Sequence, residues 1–218
     1  VLGERFIKYR IKQPGKINVG NDLIKRALLN VTKETDMRTG LREIAARVLD
    51  RQVDKDNIPK ITDAVAEKLK CMAQWVAAMR GVVSWERFTG QMNFKPMQEI
   101  GTRLAKQLCC ICLGISIYKE EKEVSEGTLN TIIRIAQDTA PDRVEEIVRQ
   151  LYLRDAENVS MTDISQWTRF PQTTVLYVLK DLEALSILRK QDGLTGMWRL
   201  NPAMTRLMDT AGIYAREK

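Results

Sequence analysis

The chain has 218 residues, of which 44% are hydrophobic and 29% are charged. This balance excludes a disordered tail and supplies enough apolar material for one large core or two smaller ones. The formal net charge is +7 and the pI is about 9.3, so we expect an anionic partner such as nucleic acid. No apolar run approaches the ~20 residues of a membrane span. We therefore expect a cytoplasmic protein without membrane contact.

The first residues alternate apolar and basic side chains. The run from Phe6 to Lys12 has the period of a half-buried strand and stops at Pro14, which predicts a short strand within residues 1–14. The chain begins at Val1, without an initiator methionine, in what reads as the approach to this strand. We therefore expect it to be a piece of a longer protein.

Residues 15–140 have the pattern of a helical bundle. Apolar side chains recur at steps of three or four, which is the period of one helix face. The pattern predicts helices from Asn21 or Asp22 to about Lys33, from Asp36 or Thr39 onward, from Thr62 to Met79, from Met97 to Tyr118 and from Ser125 to about Asp138. Between the third and fourth of these, residues 82–96 carry mixed signals and are expected to be irregular.

Several classes of chemical site are excluded. The chain has no histidine, so the usual Ser–His and Cys–His catalytic pairs are absent. Three of the four cysteines lie together at Cys109, Cys110 and Cys112 in an apolar run. Because a disulfide framework or a zinc site needs wider spacing, we expect buried thiols on a packed helix and no metal site.

Residues 141–218 follow the element order of a winged helix. The pattern predicts a first helix over 142–153, a helix from Ser160 to Trp167, a turn at 168–170 and a second helix from Pro171 to Leu185. A hairpin over 188–200 and a last helix from Pro202 to about Ala211 follow. The hairpin loop contains two glycines, which can supply a positive φ.

The second helix of this module is predicted to read DNA. Val175, Leu179 and Leu182 recur on one face and should be buried, which leaves an outward face for a DNA groove. That outward face carries Gln172, Thr173, Thr174, Tyr177 and Lys180. Because the helix also carries acidic side chains, phosphate contacts are expected from Arg169, Arg189, Lys190 and Arg199 around it. The alternative for this domain is contact with protein only.

Two short motifs, together with the element order, resemble the end of an AAA+ ATPase core and its lid. Leu2-Gly3-Glu4-Arg5-Phe6 precedes the predicted strand, and Gly101-Thr102-Arg103-Leu104 opens a long helix. The resemblance implies that Arg5 is an arginine finger and that Arg103 is a sensor arginine for bound nucleotide, since both roles need a permanently charged planar donor. A helical lid followed by a winged helix resembles the C-terminal region of MCM-like helicases.

The sequence lacks the parts that cradle a triphosphate. A phosphate loop of the form Gly-x-x-x-x-Gly-Lys-Ser/Thr and an acidic magnesium-binding strand are both missing from it. We therefore expect ATP and magnesium only if an ATPase core precedes Val1, and no hydrolysis by this chain alone. The alternatives are that Arg5 merely flanks a strand and that Arg103 forms a surface salt bridge with Glu99.

The sequence thus predicts a mainly α protein, with an AAA+ lid-like helical bundle followed by a winged helix-turn-helix domain and a small β-hairpin. The expected function is that of a C-terminal fragment of a DNA-associated AAA+ ATPase or helicase, with the other subunits of a ring as partners. The competing class is a dimeric winged-helix transcription regulator with a helical effector or dimerisation domain. A third class is a scaffold whose winged helix binds only protein.

Overall fold

The computed structural model describes residues 6–10, 17–50, 57–86, 88–97, 99–190 and 196–215. The protein is mainly helical, with a small antiparallel sheet of three strands. The helices are α1 (Ile17–Asn30), α2 (Glu34–Leu49), α3 (Asp63–Met79), α4 (Gly101–Tyr118), α5 (Glu126–Thr139), α6 (Asp142–Leu153), α7 (Met161–Thr168), α8 (Gln172–Ala184) and α9 (Pro202–Ala211). A short 3₁₀ turn, Val31–Lys33, joins α1 to α2.

The sheet lies in the last third of the chain. Its strands are β1 (Val159–Ser160), β2 (Leu188–Lys190) and β3 (Met197–Leu200), in the order β1-β3-β2. Trp198 of β3 is opposite both Val159 and Lys190, so the central strand links the start of α7 to the hairpin that follows α8. The two-residue β1 was missed in the sequence, because two residues are too few to show an alternating pattern.

Helix α3 runs through the centre of the hydrophobic core. It begins at Asp63, and the preceding Thr62 caps it by accepting from the Val65 N–H through its side chain. From Cys71 to Met79 nearly every side chain is buried, and Met72 and Trp75 are fully enclosed. A helix that is apolar on all sides must be covered on all sides, and α4, α5 and α9 pack around α3.

The core crosses the predicted domain boundary at residues 140–141. One cluster of buried side chains contains residues of both parts, from Val65 on α3 to Tyr214 after α9. Trp75 of α3 packs edge to face against Tyr214, and Gln137 of α5 donates to the Ile213 carbonyl oxygen over 2.6 Å. Residues 57–140 and the C-terminal part of the chain therefore share one core.

The strand predicted near the start is wrong for residues 6–10, and the rest of that prediction lies outside the described residues. The segment Phe6–Arg10 is irregular. Its backbone amides donate hydrogen bonds to side chains at the end of α5. The Lys8 N–H donates to Thr139 Oγ1 over 3.0 Å, and the Arg10 N–H donates to Asp138 Oδ2 over 2.8 Å. The alternating pattern did not mark a covered apolar face here, since Phe6 and Tyr9 are exposed and the basic Lys8 and Arg10 are half-buried.

The predicted helices of the bundle differ from the observed ones mainly in where they begin. Helix α1 begins at Ile17, ahead of the caps expected at Asn21 or Asp22. Helix α2 begins at Glu34, ahead of the expected start at Asp36 or Thr39. Helix α4 begins at Gly101 rather than Met97, because Met97 instead pairs its backbone with Val82. Helices α6 and α9 have the predicted bounds. Within the described residues, every helix is too short or too polar to cross a bilayer.

Candidate nucleic-acid interface and nucleotide-sensing residues

The turn between α7 and α8 is fixed by side-chain hydrogen bonds. Ser160 and Asp163 form a capping box at the start of α7. The Ser160 hydroxyl and backbone N–H also donate to the Asp163 carboxylate, which lowers the pKa of Asp163. Helix α7 ends at Thr168, and the next residue, Arg169, has φ 59° in the left-handed region. The Ser165 hydroxyl then donates to the Phe170 carbonyl oxygen over 2.7 Å, which holds the chain as it enters α8.

Helix α8 has one buried face and one exposed face. Val175, Leu179 and Leu182 are completely buried, as their spacing predicts. On the opposite side, Tyr177 is 66% exposed, and Gln172, Thr173 and Lys180 are also exposed. Thr174 is half-buried. The side chains predicted to enter a groove therefore lie together on an accessible surface.

The cations predicted to bind phosphate around α8 differ in the side chains that they contact. Arg169 is exposed at the turn before α8. Arg189 on β2 is exposed and donates to Asn201 Oδ1 over 3.2 Å, and Lys190 pairs with Glu183 of α8 at 2.9 Å. Helix α8 carries two acidic side chains, Asp181 and Glu183, and Lys190 forms a salt bridge with the second of them.

Arg199 of β3 is directly opposite Arg189 of β2, so the two side chains are on the same face of the sheet. It alternates with Trp198 along β3, so the two side chains are on opposite faces of the sheet. Trp198 is buried, whereas Arg199 is half-buried and lines a cavity with Asp155 and Glu157. Arg199 is therefore a cross-strand neighbour of Arg189 that also borders a cavity near the end of α6.

Arg103 lies in the first turn of α4 and is paired with Glu99. Its Nε atom donates to Glu99 Oε1 over 2.9 Å, and its side chain is 42% exposed. This is the salt bridge that the sequence offered as the alternative to a nucleotide contact. Glu99 also lies 3.6 Å from a guanidinium nitrogen of Arg80, whose side chain is only 6% exposed. One carboxylate thus lies between a buried arginine and an exposed one.

Arg5 lies outside the described residues. The residues that follow it are packed on the junction of α5 and α6. Arg10 pairs with Asp142 and donates to the Ala140 carbonyl oxygen over 3.2 Å, while Arg134 lies 4.6 Å above the Tyr9 ring.

The charged turn between α4 and α5 contains a carboxylate with several hydrogen-bond partners. The Glu121 carboxylate accepts hydrogen bonds from the hydroxyls of Ser125, Ser116 and Thr128 at 2.6 to 3.1 Å. These bonds, with Ser125 first and Ser116 second, lower the pKa of Glu121 from 4.5 to about 2. The carboxylate joins the two helices across the turn.

The irregular segment 82–97 contributes a surface that the sequence did not reveal. Trp85 donates its indole N–H to Asp181 Oδ1 on α8 over 2.6 Å. A little further along, Phe88 is 90% exposed. The two partners of the hydrogen bond are 96 residues apart in the chain, so no local pattern could have predicted their contact.

The cysteines do not form a site together. Cys112 is buried, and burial raises its pKa to about 11, so this thiol is unreactive at neutral pH. Cys109 is half-buried and Cys110 is exposed, so the expectation of buried thiols is correct for Cys112 but wrong for Cys110. Among the described residues, acidic and cysteine side chains form no group of three that could hold a metal ion.

Comparison of the chain with protein-family models, with curated proteins and with solved structures finds no match.

Proposed function

We propose that this chain is the C-terminal portion of a DNA-associated AAA+ ATPase of the MCM-like helicase type. In this proposal, residues 141–218 are a winged-helix domain that contacts DNA, and the preceding helices are a lid that senses nucleotide. The order α6, α7, α8 and hairpin supports a winged helix, as does the sheet order β1-β3-β2.

The exposed face of α8 is the observation that carries the DNA-binding proposal. Gln172 and Thr173 in its first turn, followed by Tyr177 and Lys180, combine hydrogen-bonding groups, an aromatic ring and a cation on one accessible surface. Such a helix face is suited to base edges in a major groove. Arg169 before the helix and Arg189 on the hairpin flank this face with permanent charges suited to the phosphate backbone.

Nucleotide sensing is assigned to Arg103. A phosphate group competes with a carboxylate for the same planar guanidinium, and Arg103 is exposed enough to exchange one for the other. Glu99 would keep its contact with the buried Arg80 when Arg103 leaves. The ATP and magnesium would be held by a core upstream of this chain, with Arg5 reaching the nucleotide of a neighbouring subunit.

The accessible apolar side of α2 supports contact with another protein chain. Met37, Leu41, Ile44 and Val48 recur at steps of three or four and are 42% to 64% exposed. In a ring ATPase, this side would meet the core or a neighbouring subunit. The same observation favours the second candidate, a dimeric winged-helix transcription regulator whose dimer contact is formed by the helical part.

DNA binding is tested by fluorescence anisotropy with a labelled 20-base-pair duplex at 50 and 200 mM salt. We expect affinity to fall steeply with salt, and Arg169→Ala with Arg189→Ala to weaken binding and reduce the salt slope by roughly one per lost phosphate contact. Arg38→Ala, which removes an exposed arginine from α2, is the matched control and should change neither quantity. Binding that is insensitive to salt would contradict the proposal and favour a protein-contact domain.

The two function classes are separated by assembly and sequence preference. A motor fragment should sediment as a monomer at low micromolar concentration, show little preference among duplex sequences and hydrolyse no ATP. A regulator should form a stable dimer that protects a two-fold symmetric site. Leu41→Glu on α2 should leave a monomer unchanged but dissociate a dimer, since it places a charge in the centre of the exposed apolar side.

A further inference from the structure

The apolar side of α2 forms a narrow stripe along the whole helix. Met37, Leu41, Ile44 and Val48 follow one another at steps of four, three and four residues. Because successive residues of an α-helix are about 100° apart, these four side chains lie within an arc of about 60°. All four are exposed, so the described chain does not cover them. A stripe this narrow is typical of a helix that packs lengthwise against one other helix.

Gly40 lies at the edge of this stripe, and nothing within the described chain accounts for it. Glycine in the interior of a helix destabilises that helix relative to alanine. A Cβ added at Gly40 would have no atom within 4 Å, so its absence makes no room for another described part of the chain. A missing side chain at this edge does allow a second helix to approach the backbone of α2 closely.

The charges beside the stripe match those of the same helix in the opposite direction. Asp36 in the first turn and Arg47 in the last turn lie on the same side of the stripe as Gly40. Neither has a hydrogen-bond or ion-pair partner among the residues that the structure describes, whereas Arg38 on the other side is paired with Glu34. Asp36 and Arg47 are about 16 Å apart along the axis and cannot reach each other. An antiparallel copy of α2 brings an opposite charge beside each of them.

A recess at the end of the stripe fits one side chain of such a copy. Val48 and Tyr118, the last residue of α4, border a cavity of about 490 Å³ that is also lined by Ile44, Arg47 and Asp50. In an antiparallel pair of helices centred on the stripe, the partner's Met37 is opposite Val48. The unbranched, flexible methionine side chain is suited to filling an irregular recess of this kind.

We propose that α2 pairs in antiparallel orientation with the α2 of a second copy of this chain. The two-fold axis passes between Leu41 and Ile44, so that Ile44 packs over the partner's Gly40, and Asp36 pairs with the partner's Arg47. The inference rests on the proposed contact of α2 with another protein chain and specifies it. Because two helices of about four turns bury less area than a standard interface, we expect a weak dimer with a Kd of about 10 to 100 μM.

Charge reversal tests the pairing. In sedimentation velocity at about 2 to 300 μM protein, Asp36→Arg and Arg47→Asp should each weaken association about 3- to 30-fold. The double variant should recover the wild-type affinity within about twofold, because both pairs are restored in reverse. If these side chains served only their own helix dipole, the double variant would be the least helical and would not recover. Glu43→Gln, an exposed change away from the stripe, is the matched control.

Cross-linking tests the orientation. The background replaces Cys109 and Cys110 with serine, since these two thiols are not fully buried. Leu41→Cys should then form a disulfide with its own copy on oxidation by diamide, because the two positions are about 5 Å apart along the axis. Met37→Cys should not cross-link with itself across about 16 Å, but it should cross-link with Val48→Cys in a mixture of the two variants. A parallel dimer would give the reverse result.

The outcomes separate this inference from the proposed function. A protein that stays monomeric at every concentration, or one in which Met37→Cys cross-links with itself, overturns the antiparallel dimer. Association that survives Leu41→Glu overturns it as well. Each of these results leaves DNA binding by α8 standing, because anisotropy of the labelled duplex measures that binding separately. Conversely, the expected cross-links in a chain that binds no duplex would support the α2 contact and contradict the DNA-binding function.

Discussion

The indole of Trp75 meets the ring of Tyr214 edge to face, with centroids 6.1 Å apart and planes at 85°. Trp75 belongs to the central helix α3, and Tyr214 follows the last helix of the chain. The Tyr214 hydroxyl donates to Glu145 on α6 over 3.0 Å, and burial raises the pKa of this tyrosine well above its usual value. The end of the chain thus fastens α6 to α3.

Replacing Tyr214 with alanine should destabilise the whole protein. We expect Tyr214→Ala to lower the free energy of unfolding by about 3 to 5 kcal/mol, because a buried aromatic ring and its hydrogen bond are both lost. Tyr177→Ala is the matched control and should cost less than about 0.5 kcal/mol, since that ring is mostly in water. Urea unfolding followed by circular dichroism measures both. Two separate transitions in the wild-type protein would contradict a shared core.

Glu99 should matter more for stability than the exposed arginine that it binds. Glu99→Gln leaves the buried Arg80 guanidinium without a carboxylate and should cost about 2 to 3 kcal/mol. Arg103→Ala removes only a partly exposed partner and should cost less than about 1 kcal/mol. Thermal unfolding at neutral pH compares the two variants. Equal losses would mean that Glu99 serves Arg103 rather than Arg80.

The Glu121 carboxylate should make stability depend on acid. Its pKa is lowered in the folded state from 4.5 to about 2, so its contribution is complete above pH 4.5 and is lost as the pH falls towards 2. Glu121→Gln should therefore be less stable than wild type at pH 7, and the difference should shrink below pH 4.5. Melting temperatures measured across this range provide the test. Glu157→Gln, which changes an exposed glutamate, should show no such convergence.

Arg169 offers a substitution with opposite effects on stability and binding. Its φ of 59° favours glycine, so Arg169→Gly should leave the protein as stable as wild type or stabilise it by up to about 1 kcal/mol. If Arg169 contacts phosphate, the same change should weaken duplex binding and reduce the salt slope. Arg169→Lys should keep most of the binding because it keeps the charge. A glycine variant that binds duplex as tightly as wild type would remove Arg169 from the interface.

The elements that the sequence predicted well are those with local causes. Ser160 caps α7, and Val175 and Leu179 repeat at the helical period on α8, so the helices were recognisable without any tertiary contact. Helix α6 was predicted to the residue because Pro141 marks its start. The spacing of the apolar residues identifies the buried face of α8 and therefore also the opposite, exposed face. For this reason its exposed polar residues could be predicted.

The features that the sequence did not reveal depend on distant partners. The backbone of Phe6–Arg10 could be assigned to a strand only as long as its partners at Asp138 and Thr139 were unknown. Segment 82–97 has no periodicity. Its position beside α8 depends on contacts of Gly81 with Leu185 and of Trp85 with Asp181, which are far apart in the chain. The burial of Arg80 and its pairing with Glu99 likewise depend on tertiary packing, which no local sequence pattern reveals.

The attachment of Phe6–Arg10 to the end of α5 has a mechanical consequence. The Arg10 amide and the Asp138 carboxylate are 128 residues apart along the chain, yet they are joined by one hydrogen bond, and Arg10 also grips Asp142 across the α5–α6 junction. A force on residues 6–10 would therefore act directly on the α5–α6 junction, without passing through helices α1 to α4.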